Sequence, residues 1–180
     1  MVKITIGTNE NPVRFSYANV HQPVSVNGSD LKYSVSIIIP KSDKATIKKV
    51  KDAIQKATQD NKDKFGGKVP SNLKTPLRDG DVDREDDEAY ASSYFINANS
   101  KIKPGIVDAD LNPIMDQSEF YSGCYGRVSL TFYAYNVNGN KGIAAGLQNI
   151  MKSTDGDPLG GRSSAEADFA DDSDDDDILG

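Results

Sequence analysis

The stretch YGRVSLTFYAYNV, residues 125–137, alternates two kinds of side chain and decides the fold class of this chain. Its even-numbered positions from Gly126 to Ala134 are apolar or small, whereas its odd-numbered positions carry hydroxyl groups, aromatic rings and a cation. A period of two predicts a β-strand with one buried face. Asn138-Gly139-Asn140 follows directly and predicts a tight turn into another strand.

Similar patterns elsewhere predict further strands. Residues 31–39 alternate Tyr33, Val35, Ile37 and Ile39 with mostly polar positions and end at Pro40. Residues 143–151 fit either a helix or a strand, and their position after the turn favours a strand. Further strands are expected at residues 14–26, 90–102 and 105–115.

One helix and one long loop interrupt these strands. Residues 44–65 place Ile47, Val50 and Ile54 at spacings of three and four, which predicts an amphipathic helix capped by Ser42 or Asp43. Residues 66–89 hold prolines, glycines and acids with little apolar pattern and predict a long surface loop. The fold class expected is therefore mainly β, an OB-type barrel of five or six strands with one helix.

Charge divides the chain into a body and a tail. Of its 21 basic and 27 acidic side chains, residues 163–180 hold eight acids and no base, so residues 1–162 carry 21 basic and 19 acidic groups, a charge of +2. We therefore expect one domain at residues 1–162 and a disordered acidic tail at residues 163–180. The tail also contains apolar residues, which a tail for solubility alone does not need: Phe169 among the acids, and Ile178-Leu179 after Asp174, Asp175, Asp176 and Asp177. Acids beside an apolar pair indicate docking on a basic surface.

The polar side of the 125–137 strand carries Tyr125, Arg127, Tyr133 and Tyr135. Exposed rings stack on unpaired bases, each worth about 1–3 kcal/mol, and arginine pairs with phosphate. The predicted strand at residues 90–102 has a second polar side, formed by Phe95, Asn97, Asn99 and Lys101. Lys103 follows it in the same alternation. Together the two strands predict a surface for single-stranded nucleic acid, although tyrosines also occur on sheets simply because they pack well there.

Residues 41–74 contain ten lysines and four acids. Such a lysine-rich segment either follows a phosphate backbone or forms an ordinary solvated helix face, and the sequence leaves both readings open.

Several other site classes are disfavoured. The single cysteine, Cys124, and the single histidine, His21, exclude a zinc cage of cysteines and histidines and an internal disulfide. The acids of residues 79–88 lack the spacing of a calcium-binding loop, and a solvated loop is the simpler reading. The chain has no phosphate-binding glycine loop and no apolar run of membrane length, so we expect an intracellular protein with no cofactor, no metal and no membrane partner.

Four segments resemble a family of tailed-phage and prophage proteins related to OB-fold single-stranded-DNA-binding proteins. They span residues 103–108, 121–128, 135–143 and 155–161, and the likeness covers about residues 12–177. The resemblance implies a barrel that coats single strands in the host cytoplasm during replication or recombination, with a tail that contacts replication enzymes. It adds Tyr121 and Lys141 to the expected DNA-binding residues. Tails of that family usually finish on an aromatic residue, whereas this sequence has Ile178-Leu179-Gly180 there.

The expected function is thus non-enzymatic, sequence-independent binding of single-stranded DNA, with a tail that recruits replication or recombination proteins and shields the basic groove. A phage structural or interaction protein whose acidic tail mimics DNA is the alternative. A metal-dependent nuclease that uses the acids of residues 79–88 is a weaker one. The sequence leaves self-association open.

Overall fold

Eight strands and one long helix make up the part of the chain that the computed structural model describes, residues 1–25, 28 and 30–159. The long helix is α1 (Lys44–Asp60), and a single turn, α2, covers Gly80–Asp83. The strands are β1 (Val2–Ile6), β2 (Val13–Val24), β3 (Lys32–Pro40), β4 (Leu77–Asp79), β5 (Ser93–Ser100), β6 (Gly105–Val107), β7 (Tyr125–Val137) and β8 (Asn140–Thr154).

Five of the strands close into a barrel. Antiparallel pairs join β2 to β3, β3 to β5, β7 to β8 and β7 to β2, and one parallel pair joins β5 to β8. Around the barrel the strands follow the order β2, β3, β5, β8, β7. If the five are numbered one to five along the chain, this order is 1-2-3-5-4, which is the Greek-key order of the OB-fold. The expected fold class is confirmed. The short strands β1, β4 and β6 extend the sheet beside β7, β5 and β8.

The barrel interior is built by the predicted alternation. Val128, Leu130 and Phe132 of β7 are each at most 1% exposed, and they belong to one core with residues from the other barrel strands and from α1. The helix contributes Ile47 and Val50 to this core, at the spacing that the sequence predicted. Because the inward side chains of β7 are apolar, its polar side chains must face outward.

The ends of α1 and of β7 follow local rules. Asp43 caps the helix by accepting hydrogen bonds from the amide and hydroxyl of Thr46, so Asp43 rather than Ser42 is the cap. The turn after β7 places Asn138 and Gly139 at φ 53° and 82°, the left-handed pair that a two-residue hairpin needs. Residues 143–151 form a strand, as favoured.

Two expectations need correction. The barrel has five strands, within the five or six expected, but the sheet as a whole has eight, because the sequence did not predict β1 and the segment predicted as a loop contains β4. That segment, residues 66–89, also contains α2 and reaches a 3-10 turn at Glu88–Tyr90, which begins its return to the barrel. Short elements of this kind carry too few residues to show a period in sequence.

Candidate nucleic-acid interface

The outward side of β7 is as predicted except at Thr131, which is buried. Tyr125, Arg127, Ser129, Tyr133 and Tyr135 are all partly exposed, whereas the alternate positions from Gly126 to Ala134 are buried. Strand alternation therefore presents tyrosine rings to solvent on one side of the barrel.

A strip of small polar residues connects those rings to β3 and β5. Ser34 of β3 is paired with Asn99 of β5, Asn99 with Gly146 of β8, and Tyr133 of β7 lies beside Gly146. A Cβ at Gly146 would stand 2.5 Å from Oγ1 of Thr131 and 3.6 Å from Cε1 of the Tyr133 ring, so the close approach of Thr131 requires the glycine, which lies next to the tyrosine ring. We call Ser34, Asn97, Asn99, Gly146 and Tyr133 the outer strip.

Tyr17 flanks the strip on β2 and was missed by the sequence reading. Alternation from Val13 and Phe15 would place Tyr17 in the core, but the β2–β3 register shifts after Ser16, and Tyr17 takes φ 47° and is 52% exposed. A bulge redirects a side chain to the opposite face, which no alternation pattern can show.

Arg84, also missed, stacks on this tyrosine. Its guanidinium carbon lies 5.3 Å from the centroid of the Tyr17 ring, and its buried Nε has no hydrogen-bond partner among the described residues. A depression of about 320 Å³ opens beside Tyr17, lined also by Asn19, Ser122 and Leu159. The sequence did not single out Arg84 because it lies within an acidic segment that predicts a solvated loop.

Phe95, predicted to stack on bases, is fully buried, and that prediction is wrong. It points outward from β5, but the loop after α2 folds back over the strand and places Tyr90 on it, with ring centroids 5.1 Å apart. The Tyr90 hydroxyl donates to Ser36 Oγ at 2.7 Å, and burial raises the pKa of Tyr90. Phe95 therefore belongs to a second small core with Ile38 and Tyr90.

Replacement of Phe95 tests this correction. We expect Phe95→Ala to lose about 3 kcal/mol of unfolding free energy, the lower end for a buried phenylalanine because the surrounding loop can partly collapse. Chemical denaturation measures the loss. The affinity of the folded variant for single-stranded DNA should stay near that of the parent chain, and a large loss of affinity at unchanged stability would return Phe95 to the interface.

Tyr121, Tyr125 and Arg14 form a cluster, which we call the clamp, that contacts residues 155–157. The Tyr121 hydroxyl donates to Asp155 Oδ1 at 2.9 Å, and the Arg14 guanidinium lies 5.2 Å from the centroid of the Tyr125 ring. Arg14 also donates to the Asp157 carbonyl at 2.8 Å. Burial and the nearby Asp155 carboxylate raise the pKa of Tyr121. Both rings thus hold the end of the described chain, and their contact with DNA stays a prediction.

Arg127, Tyr135 and Lys141 also have local partners. Arg127 Nε donates to the Gly7 carbonyl at 2.9 Å, and Lys141 Nζ donates to the Phe65 carbonyl at 3.1 Å. The Tyr135 ring lies against Gly142. Arg127 is six residues from Tyr133 along β7, about 20 Å at the rise of a strand, so it lies outside the outer strip.

Lys101 and Lys103 are exposed after the end of β5. The Lys101 ammonium lies 3.2 Å from Asp30. This ion pair is exposed and therefore weak, so Lys101 can exchange its carboxylate for a phosphate at little cost.

The remaining candidates have structural partners. Cys124 is buried and burial raises its pKa, and His21 Nε2 lies 2.9 Å from the Phe120 carbonyl. The Lys41 ammonium and the Ser92 amide lower the pKa of Asp81. Across residues 1–25, 28 and 30–159, no cluster of histidine, cysteine, aspartate or glutamate is placed to hold a metal ion.

The acidic tail expected at residues 163–180, with Phe169, Asp174–Asp177, Ile178 and Leu179, lies outside the described residues. Within the described part, no helix is long and apolar enough to cross a membrane.

The strand order and the outer strip place the chain among OB-fold proteins, which bind oligonucleotides and oligosaccharides on their second and third barrel strands. The profile of the family described as "Enterobacter phage Enc34, ssDNA-binding protein" matches residues 3–179, and the chain belongs to this family.

Individual phage proteins are also similar to this chain. Protein p50 of Acyrthosiphon pisum secondary endosymbiont phage 1 is 32% identical over 170 residues, which cover 90% of this chain and 91% of the relative. The single-stranded DNA-binding protein from bacteriophage Enc34, solved in complex with ssDNA, is 25% identical with a TM-score of 0.74 over 88% of this chain and 89% of that one. The single-stranded DNA-binding protein gp2.5 of bacteriophage T7 shares the fold at 15% identity, with a TM-score of 0.59 over 94% and 93% of the two chains.

Proposed function

We propose that this chain binds single-stranded DNA without sequence preference and coats it during phage replication or recombination. The observation that carries the proposal is the outer strip, a path of serine, asparagine and glycine on the second, third and fifth barrel strands with an exposed tyrosine at each end. Membership of the family and the solved DNA complex of the Enc34 relative support it.

The strip offers two kinds of contact. Tyr17 and Tyr133 provide ring faces for unpaired bases, and Asn97 and Asn99 provide amide groups for bases, sugars or phosphates. Of the cations described above, Arg84 stacks on the Tyr17 ring and Lys101 is paired with Asp30. We therefore expect stacking to contribute a large share of the affinity and phosphate pairing a smaller one.

This balance predicts that the chain prefers single strands over duplex, because a duplex hides its base faces from Tyr17 and Tyr133. Affinity should fall with salt at a log-log slope of about −0.7 per phosphate neutralised. Fluorescence anisotropy with labelled single-stranded and duplex oligonucleotides of one sequence, over a range of salt concentrations, measures both quantities.

A second single-stranded sequence is the control for that titration, since a sequence-independent binder treats the two alike. Equal affinity for duplex and single strand at every salt concentration would refute base stacking as the basis of binding.

The acidic segment, residues 163–180, has a role of its own in this proposal. Its eight carboxylates compete with DNA for cations of the body at the high local concentration that tethering provides, and its apolar residues dock on replication or recombination proteins when DNA displaces it. Support for this comes from the sequence alone.

A further inference from the structure

A basic depression of about 400 Å³ lies beside the N-terminal half of α1, away from the outer strip. Buried Ile47 and partly exposed Tyr94 supply its apolar and aromatic surface. We call it the α1 lysine patch, and its other lining residues are Lys41, Lys44, Lys48, Lys51 and one acid, Asp52, which is paired with Lys48.

Two of the four lysines have no acidic partner. Lys41 and Lys48 form ion pairs at 2.9 Å or less, whereas Lys44 and Lys51 form none with any residue in the described part of the chain. The Lys51 ammonium instead lies 5.4 Å from the centroid of the Tyr94 ring. Unpaired ammonium groups beside an apolar surface suit a ligand that carries carboxylates next to aliphatic side chains.

We propose that the α1 lysine patch is the docking site of this chain's own acidic segment, residues 163–180. The segment has the matching chemistry, since it contains eight acids and no base, and its run Asp174–Asp177 is followed directly by Ile178-Leu179. The carboxylates pair with Lys44 and Lys51, and the aliphatic pair packs on Ile47 and Tyr94.

The described chain ends on the opposite side of the sheet from the patch, within reach of it for the segment. Leu159, the last described residue, packs on the small core of Ile38 and Phe95, which are paired across β3 and β5. The next pair along the same strands is Ile39 and Tyr94, on the opposite face of the sheet. The fifteen residues from Leu159 to Asp174 can span up to about 50 Å, so the tail can pass around the sheet to the patch.

The outer strip is a poorer site for this segment. The depression at the strip end by Tyr17 is lined by five acids of the loop, Asp86, Asp87 and Glu88 among them, and by one cation, Arg84. DNA can offset repulsion from these acids by stacking its bases on Tyr17 and Tyr133, whereas the acidic segment contains one aromatic residue, Phe169.

The inference deepens the role proposed for the segment, because it names the cations that the segment neutralises. Docked on the patch, the segment lowers the positive potential that draws phosphates toward the body, and phosphates of a bound strand displace it by competing for Lys44 and Lys51. Its test needs no DNA, so its failure is distinct from failure of DNA binding.

The experiment uses the full chain with a nitroxide at Gly180→Cys, since buried Cys124 resists labelling. Paramagnetic relaxation of backbone amides should be strongest at residues 44–51 and at Tyr94 in low salt. It should vanish near 1 M salt, where the Debye length is about 3 Å. The double variant Lys44→Gln/Lys51→Gln should lose the effect, and the matched variant Lys62→Gln/Lys68→Gln, with the same charge change at exposed lysines, should keep it.

Several results would overturn the proposal. Strongest relaxation at Tyr17, Asn97 and Tyr133 would place the segment on the strip, and unchanged relaxation in the Lys44/Lys51 variant would remove the patch as its site. Relaxation that grows with protein concentration would place the segment on a second copy.

Discussion

The Phe132→Ala variant is expected to lose about 3–5 kcal/mol of unfolding free energy, whereas Tyr133→Ala should lose little. The two residues are neighbours on β7, but Phe132 is fully buried in the barrel core and Tyr133 is partly exposed on the outer strip. Removal of the Phe132 ring leaves a cavity that five strands surround and cannot fill. Urea denaturation followed by circular dichroism measures the difference in stability.

The same pair separates folding from binding. Tyr133→Ala should lower the affinity for single-stranded DNA, and the folded fraction of Phe132→Ala should keep most of it. Phe132→Leu serves as the control, because it retains apolar volume and should cost less stability than alanine. A stable Phe132→Ala beside an unfolded Tyr133→Ala would mean that the faces of β7 are the reverse of those described.

Removal of both flanking rings should have the largest effect on binding. Each stacked base contributes about 1–3 kcal/mol, so Tyr17→Ala and Tyr133→Ala should each weaken binding about 5- to 150-fold. The residues lie at opposite ends of the strip, and the free-energy losses should add in the double variant. Anisotropy titration of the two single variants and the double variant at one fixed salt concentration measures them.

Tyr125→Ala is the informative comparison for that series. Its ring stacks with Arg14 and belongs to the clamp on residues 155–157, so we expect a loss of stability and little loss of affinity. If Tyr125→Ala weakens binding strongly while the Tyr17/Tyr133 double variant binds normally, the strand runs along the Arg127 end of β7 and not along the outer strip.

Sequence reading succeeded where a pattern repeats along one strand or helix. The faces of β7, the hairpin after it, and the core positions of α1 follow from the periods of two and 3.6, because these periods decide which side chains share a face. The OB-type barrel followed from the number of strands and the single helix between them.

The location of the interface could be read only in part. Asn97, Asn99 and Tyr133 lie on the outward sides of their strands, as alternation predicted, but Phe95 on the same side of β5 is covered by the loop of residues 84–92. The local sequence of β5 could not predict that Phe95 is covered. The residues that cover it, Arg84 and Tyr90, belong to a distant segment that the sequence predicts to be an acidic surface loop.

The amino-acid sequence by itself determined the barrel class, the charge division between body and acidic segment, and the outward tyrosines of β7, since each depends on composition or on alternation within one segment. Tertiary structure alone decided that Tyr17 turns outward at a bulge and that Phe95 is buried. It also decided that Tyr121 and Arg127 hydrogen-bond to Asp155 and to the Gly7 carbonyl, and that the Tyr125 ring stacks with Arg14. Those outcomes depend on which distant segments meet, and the free energy of such contacts arises only after the barrel has closed.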